Sequence, residues 1–239
     1  MAINQQHFDQ VISTQDTARE LLDKNLPLPL LVTAEEQTSG RGRQGRQWIS
    51  PRGNFFCSFA INAAVPIVRY GEYSFLTAVV LRNTISNFSD RNVSLKWPND
   101  ILLDERKCAG ILIESYGSQN EFLIIGIGVN LRYAPTEDEV HQPAAALWPD
   151  KAPNPQRKAD FMRQLVENFL LWHDRYEKGG FEMIHAAWLK HAHNLARQIT
   201  VQTPQGPQDG IFAGLDPHGN LLLTRGEETI KVTTADVLI

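Results

Sequence analysis

Apolar positions along the chain switch between a helical and a strand-like spacing, and the switches outline the fold. Ser13-Thr-Gln-Asp16 has the form of a helix capping box, and Ala18, Leu21 and Leu22 supply an apolar face behind it. Leu26-Pro-Leu-Pro29 ends that helix, and residues 30–34 and 55–62 are apolar runs of strand length. Ala78, Leu81, Ile85 and Phe88 recur at helical intervals. Four short strands follow at 93–97, 101–103, 110–115 and 122–130, with Asp104-Glu-Arg106 as a hairpin turn. Residues 132–156 hold five prolines and predict surface loop. Helix returns with Phe161, Leu165, Phe169, Trp172 and Tyr176, and again with Phe181, Trp188 and Leu195.

Beyond Arg197 the pattern becomes strands at 199–203, 210–215, 220–224 and 229–233, separated by turns such as Asp216-Pro-His-Gly219. This predicts an α+β domain over 1–195 with a small β-barrel appended at 196–239. The 239 residues suffice for such a core without disulfide staples. The two cysteines, Cys57 and Cys108, have no metal or redox spacing and read as buried reduced thiols. The N-terminus lacks a secretory pattern and no apolar run reaches membrane-spanning length, so a cytoplasmic protein is expected.

Charge sharpens this picture locally. A net charge of −4 argues against broad nucleic-acid binding. Yet residues 37–71 contain no Asp or Glu, while Arg41, Arg43, Arg46, Arg52 and Arg69 all fall there. A small anionic ligand fits that imbalance better than a polyanion.

Gly40-Arg-Gly-Arg-Gln-Gly-Arg-Gln-Trp48 lies at its centre. A dinucleotide loop would need a helix after Gly45 and an acid about 20 residues on. Here a strand follows and no acid appears before Glu72. A P-loop would need Lys-Ser/Thr where Arg46-Gln47 stands. What remains is a glycine-rich turn whose N–H groups and three guanidiniums suit an anion. A solvated turn or an Arg-Gly RNA contact is the plainer alternative.

Lys96-Trp-Pro-Asn-Asp100 places Asn99 and Asp100 at a turn between two strands. They suit oxygen ligation of magnesium, or only an Asx-type turn. Lys107 opens an apolar strand, as an edge residue or as a cation aimed at an anion. Strand alternation points Lys107 and Cys108 to opposite faces, Cys108 toward the core.

Taken together, these segments resemble the biotin–protein ligases. The resemblance runs from Ser13-Thr14 and Gln37 through the arginine loop and Ser50-Pro51 to Lys96-Trp-Pro-Asn-Asp100. It continues through Lys107-Cys-Ala-Gly-Ile-Leu-Ile-Glu114 and Gly126-Ile-Gly-Val-Asn130, and 209–223 resembles the family's small SH3-like barrel. It implies a mixed-sheet catalytic domain, ATP and biotin as substrates, Mg2+, and a biotin carboxyl carrier protein of acetyl-CoA carboxylase as partner. By the same resemblance Ser13, Thr14, Gln37, Gly40, Arg41, Gly42 and Lys107 contact biotin, and Arg41, Arg43, Arg46, Trp48, Lys96, Asn99 and Asn130 line the nucleotide site. Lys107, Arg43 and Asp100 would be catalytic, with Asp100 the candidate general base and Asn99 and Asp100 the metal site. The arginine loop is expected to be mobile and to order over the anion. Gln15 stands where many relatives carry Asn. Only 12 residues precede Ser13, so no operator binding is expected; a homodimer is admitted. A lipoate–protein ligase is the nearest rival, and an RNA-binding module the non-enzymatic one.

Overall fold

A computed structural model describes residues 3–62, 65–140, 142–149, 154–204, 206–233 and 235–237. A seven-stranded mixed sheet carries the larger part. Its strands are β1 (Asn4–Val11), β2 (Leu30–Gln37), β3 (Phe55–Asn62), β4 (Val93–Lys96), β5 (Asp100–Leu103), β6 (Arg106–Tyr116) and β7 (Phe122–Val129). They lie in the order β1-β2-β3-β7-β6-β5-β4, with β1 parallel to β2 and every other pairing antiparallel. Helices α1 (Thr14–Asp23), α2 (Glu72–Ser86), α3 (Pro155–Gly179) and α4 (Phe181–Leu189) flank it.

Alternation sorts the sheet into two faces. Phe55, Cys57, Phe59 and Ile61 of β3 join Leu123, Ile125, Ile127 and Val129 of β7 in the large core under α2 and α3. Ala60 and Ile124 point the other way, into a smaller core with Ala18 and Leu22 of α1. Ser13 caps α1, its hydroxyl accepting the Gln15 N–H at 3.2 Å, as the capping pattern predicts.

The second unit is a five-stranded antiparallel sheet, β11-β10-β9-β8-β12. It comprises β8 (Gln198–Thr203), β9 (Gly206–Leu215), β10 (Leu221–Arg225), β11 (Glu228–Val232) and β12 (Asp236–Val237). The Asp216–Gly219 turn forms as expected, with Gly219 at φ 83° and its N–H donating to the Asp216 carbonyl at 2.9 Å. Trp97 Nε1 donates to the Gly219 carbonyl at 3.0 Å, tying this turn to the larger unit.

Two expectations need correction. The helix containing Phe181 and Trp188 stops at Leu189, and Leu195 is exposed beyond it. The stretch expected as surface loop includes Ala145, Ala146, Leu147 and Trp148, all buried. Its backbone is satisfied by strand ends: Ala145 N–H donates to Lys107 O, Leu147 N–H to Asn130 O and Trp148 N–H to Leu131 O, at 2.7–2.9 Å. Strand β1 carries no signal in the pattern, because Asn, Gln and Asp dominate it and it forms on the backbone edge that β2 offers. No described helix is long and apolar enough to cross a membrane.

Candidate active site

The site is built where large side chains are missing from the α1 face of the sheet. Asp100, Gly110 and Gly128 are cross-strand neighbours on β5, β6 and β7, and Leu112, Gly126 and Ser58 form the next row. A Cβ on Gly128 would collide with the Trp48 indole, and one on Gly110 would lie 3.0 Å from it. One on Gly126 would come within 3.0 Å of the Gln15 side chain. The glycines therefore form a shelf on which Trp48 and Gln15 rest. A cavity of about 620 Å3 opens above it.

Polar groups at one end converge on Gln37. Its Oε1 accepts from Thr14 N–H at 2.9 Å and Thr14 Oγ1 at 3.2 Å, while its Nε2 donates to Ser50 Oγ at 2.9 Å. Ser58 Oγ donates to Thr14 Oγ1 at 2.8 Å from the sheet beneath.

The arginine loop is a folded hairpin. Gly42 N–H donates to Arg46 O at 2.7 Å and Trp48 N–H to Gly40 O at 2.9 Å. Gly40 lies behind the cavity wall, where a Cβ would sit 2.5 Å from both Ser50 Oγ and Trp48 O. The acid-free run in the sequence is neutralised from elsewhere in the chain. Arg41 pairs with Asp16 of α1, which raises its pKa, and reaches Glu114 at 3.5 Å. Arg43 and Arg46 both reach Asp236 of β12, at 3.5 and 3.2 Å. Burial lowers the Arg43 pKa, and this guanidinium also donates to Asn99 Oδ1 at 3.3 Å. Arg52 and Arg69 leave the site altogether, paired with Asp9 and Glu72.

Lys107 enters the cavity because the strand is irregular. The β5–β6 register shifts between Ile101 and Leu102, leaving Cys108 without a partner of its own. Cys108 and Ala109 consequently both face the large core, and Lys107 returns to the site face. Its ammonium pairs with Asp100 Oδ1 at 2.7 Å and lies 5.4 Å from the Trp48 ring centroid. Lys96 is nearly buried, donates to Gln142 Oε1 at 3.1 Å, and has its pKa lowered to about 8 by desolvation.

Every predicted site residue except Gly40 lines this one cavity. The pattern had not revealed Asp16, Glu114, Gln142 or Asp236, whose roles depend on tertiary contacts. The thiols are excluded as nucleophiles: both cysteines are buried and free, and burial pushes Cys108 up to about 12 and Cys57 higher. A resident metal at Asn99 and Asp100 does not fit the donor set. Asn99 Oδ1 faces Arg43, Asp100 faces Lys107, and no cluster of three or more His, Cys, Asp or Glu suited to a metal exists among the described residues.

A cavity with hydroxyl and amide groups at one end and five cations along its wall suits a neutral polar head joined to an anionic junction. Residues 8–130 match the Biotin/lipoate A/B protein ligase family, and residues 195–239 the Biotin protein ligase C terminal domain. The chain is 32% identical to the Bifunctional ligase/repressor BirA of Bacillus subtilis, across 97% of this chain and 72% of that protein. It is 34% identical to the Biotin--[acetyl-CoA-carboxylase] ligase of Paracoccus denitrificans, across 80% and 82%. The fold is that of the biotin protein ligase from Aquifex aeolicus solved with biotin and ATP: TM-score 0.85, 22% identity, 98% and 97% coverage. The chain belongs to the Biotin/lipoate A/B protein ligase family, and its activity is that of a biotin–[acetyl-CoA-carboxylase] ligase.

Proposed function

We propose that this cavity joins biotin to ATP as biotinyl-5′-AMP and then hands the biotinyl group to a lysine of a biotin carboxyl carrier protein. The observation that carries the proposal is the convergence of Gln37 and Thr14 at one end with Lys107, Arg43 and Arg46 along the same wall. The first half binds an uncharged ureido head; the second balances a carboxylate against a phosphate.

In the first step a biotin carboxylate oxygen attacks the α-phosphorus, a P–O bond forms, and the bond to pyrophosphate breaks. Two anions must approach each other, so fixed cations at the junction lower the barrier. Lys107 is the group best placed for this, held on the shelf by Asp100. Arg41, with Gly42, closes the biotin side of the hairpin, while Arg43, Arg46, Trp48, Lys96, Asn99 and Asn130 surround the nucleotide. In the second step the carrier amine attacks the acyl carbon, the C–O bond to AMP breaks, and an amide forms. Asp100 takes the amine's proton once an anion has drawn Lys107 away from it. The magnesium expected of the family then travels with the nucleotide's phosphates as part of the substrate.

Residues 1–195 and 196–239 would act as a catalytic unit and a small barrel that supplies Asp236 to the site. A cytoplasmic location follows from the substrates. The deciding experiment is exchange of labelled pyrophosphate into ATP with biotin, with lipoate and with neither. Exchange that requires biotin is expected; exchange with lipoate alone, or none, removes the proposal. Arg43→Gly should release biotinyl-5′-AMP faster while leaving biotin binding nearly intact, and unchanged release would remove Arg43 from the adenylate.

A further inference from the structure

A second cavity, of about 740 Å3, shares no lining residue with the ligase cavity. It lies between the ends of β2 and β3 and the first turns of α3. Its apolar wall is formed by Ala34, Phe55, Leu131, Trp148 and Met162. Its volume falls within the range of pockets that enclose small organic ligands, roughly 300–1,000 Å3.

The charged groups around that wall are unevenly matched. Lys158 is held by Glu35 at 2.8 Å, and Arg52 is held by Asp9 and Glu36. Arg132 and Arg157 have no carboxylate partner among the described residues. The Arg157 guanidinium lies 4.1 Å from the Trp148 ring centroid, and among the described residues its hydrogen bond is to the Phe88 carbonyl at 3.3 Å. Arg132 rests on Tyr133 at 5.2 Å. Arg132 Nε and Trp148 Nε1 are both buried without a partner among the described residues, and both are donors. The wall is therefore rich in cations and donors and poor in acceptors, in a chain whose net charge is −4.

Two half-buried guanidiniums beside aromatic and aliphatic surface, with no carboxylate partner among the described residues, offer a ligand carboxylate charge-assisted hydrogen bonds next to an apolar wall. A free phosphate would satisfy the charge and leave the apolar wall wet; an uncharged apolar molecule would do the reverse. We infer that this cavity binds a small carboxylate with an apolar body, its carboxylate between Arg132 and Arg157 and its chain or ring against Phe55, Leu131 and Met162. This inference does not rest on the roles proposed for the ligase cavity.

Decanoate is a suitable probe, titrated into the full chain by calorimetry and tryptophan emission. The ligase cavity is first filled with biotinol-5′-AMP, which lacks a carboxylate. Saturable one-to-one binding is expected, with decanol at least tenfold weaker. Arg132→Gln combined with Arg157→Gln should weaken decanoate at least tenfold and leave biotin-dependent pyrophosphate exchange unchanged. Met162→Trp, which adds bulk to the apolar wall, should weaken decanoate at least tenfold and decides the matter if the arginine pair does not fold. Non-saturable uptake, equal affinity for decanol, or binding undiminished in Met162→Trp each overturns the inference.

Discussion

The two faces of the seven-stranded sheet are made from alternate residues of the same strands, yet they serve opposite ends. Under α2 and α3, β3 and β7 present large side chains that interlock with the helices. Phe59 stacks on Phe169 at a centroid distance of 4.3 Å, and Phe55 meets Phe161 edge-on at 5.5 Å. On the α1 face the same strands present Ser58, Gly126 and Gly128, and the space so left is occupied by Trp48, Gln15 and Lys107. Stability accumulates on the first face and chemistry on the second. A ligand needs room beside fixed charge, and in a close-packed sheet room exists only where side chains are absent.

The contrast predicts separable damage. Phe59→Ala should cost about 3–5 kcal/mol of unfolding free energy, since Phe59 is fully buried. Urea denaturation measures that loss, and the protein that remains folded should keep its KM for biotin. A tenfold rise in KM would mean that the faces are mechanically coupled. On the other face, Lys107→Met should lower kcat/KM for pyrophosphate exchange on the order of 10²–10³-fold. It also strands the Asp100 carboxylate, 8% exposed and paired at 2.7 Å, so stability should fall as well. Adding Asp100→Asn should restore much of the stability and none of the activity. Recovery of both would reduce the pair to a structural one.

The same contrast explains what was legible in the sequence. The side chains proposed to meet substrate stood out in different ways: the hairpin by its glycines and arginines, Thr14 and Gln37 only through the family resemblance, and Lys107 as a cation opening an apolar strand. The core face was legible through periodicity. The counter-charges were not, because Asp16, Glu114 and Asp236 gain meaning only when α1, β6 and β12 are brought against the hairpin. The bulge at Cys108 was equally hidden. Simple alternation along β6, counted back from Ala109 and Ile111 in the core, would turn Lys107 inward. One unpaired residue reverses that. The buried segment 145–148 escaped notice because its neighbouring prolines read as loop, while the strand ends that accept its N–H groups lie far away in the chain.

Asp236 offers a finer test, since it brings a carboxylate of the small barrel to the hairpin. Its ion pairs with Arg43 and Arg46 are partly solvated, and pairs of this kind are worth at most about 1 kcal/mol. Asp236→Asn should therefore release biotinyl-5′-AMP about 2–5-fold faster by freeing the hairpin, with little change in Tm. Rapid-quench measurement of adenylate release checks this. Slower release would mean that the carboxylate competes with the ligand's phosphate instead of holding the arginines ready for it.

The smallest effect concerns a proton on Lys96. Burial places its pKa at about 8 in the folded chain, below the ordinary value of 10.5. Between those values the unfolded chain holds more protons, so this group's contribution to stability rises with pH across that window. Below about 8 the cost of burying the charged amine is felt in full. An anion beside Lys96 would restore the charge. ATP binding near pH 8.5 should then take up about half to three-quarters of a proton, seen as a binding enthalpy that depends on the buffer's ionisation enthalpy. Lys96→Arg keeps its charge throughout and should show no such uptake. If the arginine variant takes up the same proton, the titrating group lies elsewhere on the wall and Lys96 does not face the nucleotide.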